Sequence, residues 1–176
     1  ILLISDTTKH LEEFLSLKTI RRITFEEAAQ MLDKDEYIKD HGKYRTITSE
    51  GEKELMKKFD GFVWITHFDH LSVPFYQKFA DNEKKTALNA DLLMGIGETV
   101  GSGERHLTRL ETEKALDFHQ VSRDSYKWYL DMKEIQEVQT SGFGLGVERF
   151  FLWLLKQEDI RDMQLVPRFN GQKEVL

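Results

Sequence analysis

Apolar residues recur along this chain with two periods, and each change of period marks an element. Phe62-Val63-Trp64-Ile65-Thr66 is a short, nearly continuous apolar run, which predicts a strand covered on both faces. Ala90 to Met94 and Glu98-Thr99-Val100, joined across Gly95 to Gly97, predict two antiparallel strands around a tight connection. Ile1 to Ile4 reads as a further β-type run ended by the polar turn Ser5 to Thr8, with Lys9 to Phe14 as the exit of a hairpin. Helical spacing appears elsewhere. Thr24 and Glu27 have capping-box spacing ahead of Ala28, Ala29, Met31 and Leu32, so a short helix is expected over about 25–33. Ser49 and Glu52 repeat that spacing before Leu55, Met56 and Phe59, giving a helix over 48–59 that Gly61 stops. A third helix is expected over 107–118, with Leu107, Leu110 and Leu116 inward and Glu111, Glu113 and Lys114 outward. A fourth, over 125–133, carries Tyr126, Trp128, Tyr129 and Leu130 as a stripe suited to a core. The charged stretch 33–44 has no period and reads as a solvated loop.

The segment from Ser141 to Leu155 departs from both patterns. Gly142, Gly144 and Gly146 alternate, so one edge of an extended segment carries no side chains and admits close approach of a flat ligand or another backbone. The following run (Val147, Phe150 to Leu155) is apolar almost all round and belongs in a core. Only Glu148 and Arg149 interrupt it. A charged pair at the mouth of such a helix is costly to bury without a partner, and a guanidinium can stack on a ring or fork onto phosphate. The alternative is a glycine bulge followed by a surface ion pair; the Glu-Arg pair beside a buried helix favours a nucleotide site.

Composition narrows the classes. At 176 residues, with 40% apolar and 11% aromatic residues, the chain has the size and content of one domain with its own core. A net charge of −6 and a pI near 5.6 argue against a nonspecific nucleic-acid binder, though not against a localised contact. The absence of cysteine excludes disulfides, thiolate chemistry and Cys-based zinc sites. No apolar run reaches the length of a membrane span and no secretory signal is visible, so a cytoplasmic protein is expected. The chain starts Ile-Leu-Leu-Ile, which fits a partial sequence. His67, Asp69 and His70 match no compact zinc spacing and read as polar residues at a strand end. Asp91 and Glu98 are more interesting, because antiparallel strands across a short turn can bring their carboxylates together. Two such acids beside a triphosphate are what Mg²⁺ takes, since it keeps several waters and few protein oxygens. Residue types alone favour the other reading, two isolated acids on a solvated hairpin.

Gly142-Phe143-Gly144-Leu145-Gly146-Val147-Glu148-Arg149 resembles motif 3 of the class II aminoacyl-tRNA synthetases in its aspartyl/asparaginyl version. The resemblance implies that the glycines, among them Gly144 and Gly146, floor an adenine pocket and that Arg149 lies against ATP. Thr8-Lys9-His10-Leu11-Glu12-Glu13-Phe14 looks like the second half of motif 2, implying that Lys9 and His10 reach the ATP phosphates. Asp91 and Gly97-Glu98, followed by Gly101-Ser102-Gly103-Glu104-Arg105, are similar to the metal and amino-acid segment of the same enzymes. There Glu98, with Asp91, would hold Mg²⁺, while Arg105, with Glu104 and Gly142 beside it, would meet the substrate side chain. Glu104 stands where the family usually has glutamine, which leaves specificity open. Pro74-Phe75-Tyr76, the Tyr126 to Asp131 block and Asp159-Ile160-Arg161-Asp162 with Val166-Pro167-Arg168-Phe169 extend the likeness over most of the chain from Thr7 onward. Gln139-Thr140 replaces a usual Pro-His pair, and motif 1 and the upstream motif 2 arginine have no counterpart.

What the resemblance implies is an α+β fold, an antiparallel sheet flanked by helices, with residues 1–176 forming one partial catalytic domain. It implies Mg²⁺- and ATP-dependent activation of aspartate or asparagine to an aminoacyl-adenylate, with Arg149 and Glu98 as the catalytic groups. Transfer to tRNA by a homodimer is the first implied fate of that adenylate. A synthetase-related asparagine synthetase, passing the activated carboxylate to ammonia, is the second. A non-catalytic binding module is a third possibility.

Overall fold

The computed structural model describes residues 4, 5, 7–83, 85–164 and 166. In chain order the elements are α1 (Lys9–Ser16), β1 (Arg21–Thr24), α2 (Phe25–Met31), β2 (Ile38–Asp40), β3 (Arg45–Ile47), α3 (Ser49–Lys58), β4 (Val63–Thr66), β5 (Asn89–Met94), β6 (Gly97–Glu104), α4 (Arg109–Phe118), α5 (Lys127–Ile135), β7 (Ser141–Leu145) and α6 (Val147–Leu155). Five strands form one sheet in the order β1-β4-β5-β6-β7. Only the β1–β4 pair is parallel; the other three pairs are antiparallel. The expected α+β architecture, an antiparallel sheet flanked by helices, is therefore what the chain adopts.

One cross-strand row explains where the sheet is packed and where it is left open. Ile23, Ile65, Asp91, Gly101 and Gly144 are successive partners across all five strands, so they share a face. At the β1 and β4 end that face is apolar: Ile23, Val63 and Ile65 pack with Phe25, Ala28, Leu55 and Met56 of α2 and α3. At the β6 and β7 end the row becomes glycine, and nothing large rises from it. The opposite face is covered by α1 and α6, whose Leu11, Phe14, Phe150 and Trp153 meet Phe62, Trp64, Leu92 and Met94. Both faces of β4 are thus covered, as its apolar run predicts. A third cluster (Phe75, Ala115, Leu116, Leu130) joins α4 and α5 to the segment after β4.

Several local expectations hold and several do not. The capping box of Thr24 and Glu27 is formed, with the Glu27 N–H donating to Thr24 Oγ1 at 3.1 Å. For α3 the cap is Thr48 rather than Ser49: its Oγ1 accepts from the Gly51 N–H at 3.2 Å. That one-residue shift removes Glu52 from capping and turns it towards the sheet. Residues 9–14 form the helix α1 and not a hairpin exit, because His10, Leu11 and Phe14 lie on one helical face against the second cluster. The stretch read as loop contains β2, which pairs with β3 as a small antiparallel ribbon, too short for a period to show. In α4 the inward residues are Thr112, Ala115 and Leu116, while Leu110 is 59% exposed, because a helix capped at Thr108 sets a different phase. In α5 Leu130 is buried and Tyr126 and Tyr129 lean on the third cluster, but Trp128 is 67% exposed. The motif helix α6 buries Leu152 and Trp153 only; Val147 and Phe151 are exposed, so it is a one-sided helix. Positions 1–3 of the expected N-terminal strand, and the Pro167-Arg168-Phe169 element, lie outside the described residues. No helix among the described residues is long and apolar enough to cross a membrane.

Candidate active site

The open half of the sheet face is the floor of a cavity of about 680 Å³, a size suited to a nucleotide and a small co-substrate. Register makes the floor. Gly101 lies opposite Gly144 and the two leave the floor bare, while the next pair, Gly103 opposite Gly142, lies under the Gln77 and Arg105 side chains. A Cβ built on Gly144 would meet nothing within 4 Å. The alternate glycines of the motif supply only the β7 side of this floor; Gly101, a strand residue of β6, supplies the other.

Asp91 and Glu98 come together as expected. A Cβ on Gly101 would sit 2.6 Å from Glu98 Oε1 and 3.5 Å from Asp91 Oδ1, so both carboxylates crowd the same point. A shift in pairing between Leu92 and Leu93 places Glu98 opposite Leu93 and lets it turn in. Glu52 of α3 joins them, a residue whose sequence position suggests only a capping role. A Cβ on Gly97 would collide with Glu52 Oε2, so the helix acid reaches the strand only because residue 97 has no side chain. Burial, then the Glu98 and Glu52 carboxylates, push the Asp91 carboxyl up to about 7. Burial likewise raises Glu52, with Glu98 adding to the shift, while a hydrogen bond to the Glu98 backbone and nearby Arg149 oppose it. Among the described residues no three His, Cys, Asp or Glu side chains form a cage for a metal. Two neighbouring carboxylates, with Arg149 beside only one of them, suit Mg²⁺, which binds through few protein oxygens and keeps its waters.

Arg149 stands at the first turn of α6, where the Gly146 N–H donates to the Thr99 carbonyl at 2.9 Å and fixes the helix start to β6. Its Nη1 donates to the Glu98 backbone carbonyl and lies 3.9 Å from Glu98 Oε2. The side chain is half exposed and lines the cavity with Glu148 and Gly146.

At the other end of the floor Arg105 is held on three sides. Nη1 donates to Gln77 Oε1 and to the Gly103 carbonyl, each at 2.8 Å, and the guanidinium lies 4.7 Å from the centre of the Tyr76 ring. A Cβ on Gly142 would come within 3.2 Å of Nη2. Arg105, Asp91, Glu98, Gly144, Gly146 and Arg149 therefore share one cavity.

Three other candidates do not reach it. Glu104 follows the alternation of β6 onto the opposite sheet face, where it pairs with Lys78 at 2.7 Å and lines a separate hollow of about 460 Å³. Lys9 is exposed and 3.5 Å from Glu13 on its own helix. His10 is buried, with Nε2 3.1 Å from the Leu154 carbonyl and its ring edge-on to Trp153. Neither Lys9 nor His10 lines the cavity, because α1 carries them to the far face of the sheet. His67, Asp69 and His70 turn to separate partners: Thr66, Arg45, and the Gln77 carbonyl with His119.

Comparison with known proteins shows the family. The family model of tRNA synthetases class II (D, K and N) matches residues 2–170. The asparagine–tRNA ligase of Clostridium kluyveri is 32% identical over 159 residues, covering 87% of this chain and 34% of the ligase. That of Clostridium acetobutylicum is 33% identical over the same length. The crystal structure of asparaginyl-tRNA synthetase from Pyrococcus horikoshii superposes with a TM-score of 0.81 at 27% identity, over 97% of this chain and 40% of that one. The asparaginyl-tRNA synthetase of Entamoeba histolytica in complex with asparaginyl-adenylate gives 0.79 at 26% identity, over 95% and 40%. The chain thus spans about a third of the length of the curated relatives it matches.

Proposed function

Because the chain belongs to the class II tRNA synthetases of the D, K and N group, we propose that it is the catalytic core of an enzyme that activates aspartate or asparagine with ATP. In this reading a substrate α-carboxylate oxygen attacks the α-phosphorus, the bond to the bridging oxygen breaks, and pyrophosphate leaves as the aminoacyl-adenylate forms. The observation that carries the reading is the single cavity in which the glycine floor, Arg149, the Asp91 and Glu98 pair and Arg105 all open.

The floor receives the planar base without steric cost. Arg149 leans on Glu98 and is free to swing onto a phosphate, where its fork matches two oxygens and offsets charge on the five-coordinate phosphorus. Asp91 and Glu98 would hold Mg²⁺, which screens the triphosphate when bound. Arg105 and its supports receive the substrate's side chain and so bring the α-carboxylate to the reacting end. No covalent protein nucleophile is called on; positioning and charge neutralisation supply the acceleration.

The test is ATP–pyrophosphate exchange by the polypeptide that carries this domain, with aspartate or asparagine, with and without Mg²⁺. Exchange requires Mg²⁺ on this account. Arg149→Ala lowers its rate by about 10²- to 10³-fold, the usual loss for one charge-stabilising donor. Lys57→Ala, on the exposed face of α3, leaves it unchanged. Equal losses in the two variants refute the site. Adding tRNA or ammonia to the same assay separates charging of tRNA from formation of free asparagine.

A further inference from the structure

We propose that Gln77 determines which side chain the cavity accepts, and that the donor-only subsite it builds with Arg105 takes a carboxylate, hence aspartate, in preference to asparagine. The inference rests on the reading above, in which Arg105 meets the substrate side chain, and adds to it both the determinant and the substrate.

Gln77 is only 8% exposed and pairs with Arg105 across an isolated β-bridge. Its carboxamide could in principle turn either end to Arg105, but a guanidinium has five donors and no acceptor. Gln77 Oε1 must therefore face Arg105 Nη1, as it does at 2.8 Å. The amide NH₂ is then the end of Gln77 left for an occupant of the cavity. The arrangement has been given room: a Cβ on Gly103 would collide with Gln77 Oε1 and stand 2.6 Å from its Cδ, so the side chain can cross the strand only over glycine.

Charge points the same way. Among the described residues no carboxylate forms an ion pair with Arg105, and the one acid adjacent in the chain, Glu104, is on the other face and matched by Lys78. Nη1 is spent on two neutral oxygens and the face of the group rests on the neutral Tyr76 ring, so no anion among the described residues offsets the guanidinium charge. A carboxylate presents acceptors only and satisfies both the Arg105 fork and the Gln77 amide. A carboxamide brings two N–H groups of its own into a subsite made of donors, and a buried unpaired donor is strongly rejected.

The experiment uses the full-length protein and reads kcat/KM for aspartate and for asparagine in pyrophosphate exchange. The wild type favours aspartate by at least about tenfold. Gln77→Glu, nearly isosteric, offsets the charge of Arg105 and supplies an acceptor; it moves the ratio towards asparagine by at least about tenfold. Gln77→Met removes the hold on Arg105 and raises KM for aspartate about tenfold, with KM for ATP unchanged; it also serves if Gln77→Glu fails to fold. Wild-type preference for asparagine, or a ratio indifferent to both substitutions, overturns this inference alone. Exchange with neither amino acid overturns the parent reading and this one with it.

Discussion

Gly144→Ala separates a ligand floor from ordinary β structure. The new Cβ would stand in open space, with no atom within 4 Å, and opposite it in the sheet is another glycine. Folding therefore has no steric reason to suffer. Replacing a strand glycine by alanine even removes some entropy from the unfolded chain, worth about 0.5–1 kcal/mol in favour of the fold. The nucleotide fares differently. A base resting on bare backbone at van der Waals distance must rise or slide by more than an ångström to clear a methyl group. Overpacking of that size costs roughly 1–3 kcal/mol, or about 5- to 150-fold in affinity. Calorimetric titration with ATP, alongside a thermal melt, measures both sides. The account predicts a melting temperature equal to or slightly above that of the wild type, with ATP binding weakened by that factor. Wild-type ATP affinity would refute the floor, and a melting temperature several degrees lower would refute the open space above it. Gly103→Ala is the contrasting case, because its Cβ meets the Gln77 carboxamide and displaces that side chain from Arg105.

Asp91→Asn abolishes Mg²⁺-dependent exchange and removes most of the melting-temperature rise that Mg²⁺ with ATP gives the wild type, both read in one titration. In EDTA at pH 8 the same variant is more stable than the wild type. Asp91 is pushed up to about 7, so its proton stabilises the fold below the ordinary carboxylate range and that contribution is lost as pH rises through 7. A melting difference between variant and wild type that does not grow from pH 4 to pH 8 contradicts this. The histidines act in the opposite sense. Burial pushes His70 and His106 down to about 4, so the unfolded chain takes up protons first. In the Asp91→Asn background stability is full above about pH 6.5 and falls towards pH 4, by up to about 1.4 kcal/mol per pH unit for each group. Urea midpoints across that range check it, and a flat profile would show that these rings are not held neutral.

Much of the candidate site's geometry was legible because a period of two and a short turn fix a register. Once Gly95 to Gly97 is read as the connection between two strands, Asp91 and Glu98 must approach each other, and the alternate glycines must present an empty edge. The same parity contained a warning about Glu104: Gly101 and Gly103 share one side of β6, so Glu104, the next residue, belongs to the other. Glu52 was hidden by a cap. Thr48 and Ser49 are equally good capping residues, and choosing the second assigns Glu52 a local task when the structure sends it across to Gly97. Lys9 and His10 lie away from the cavity for a different reason. Motif likeness gives residue types but not the path of the backbone, and three apolar-facing residues at helical spacing were enough to wind that stretch into α1. The β2–β3 ribbon, with three residues in each strand, is shorter than any window in which a period can be measured.

A crystal structure of the protein with a nonhydrolysable aminoacyl-adenylate analogue tests the central claim most directly. The account predicts the adenine against Gly144 and Gly101, the phosphate mimic within hydrogen-bond reach of Arg149, and the amino-acid side chain on Arg105 and Gln77. Density for the analogue on the opposite face of the sheet, in the hollow beside Glu104 and Phe143, would contradict it.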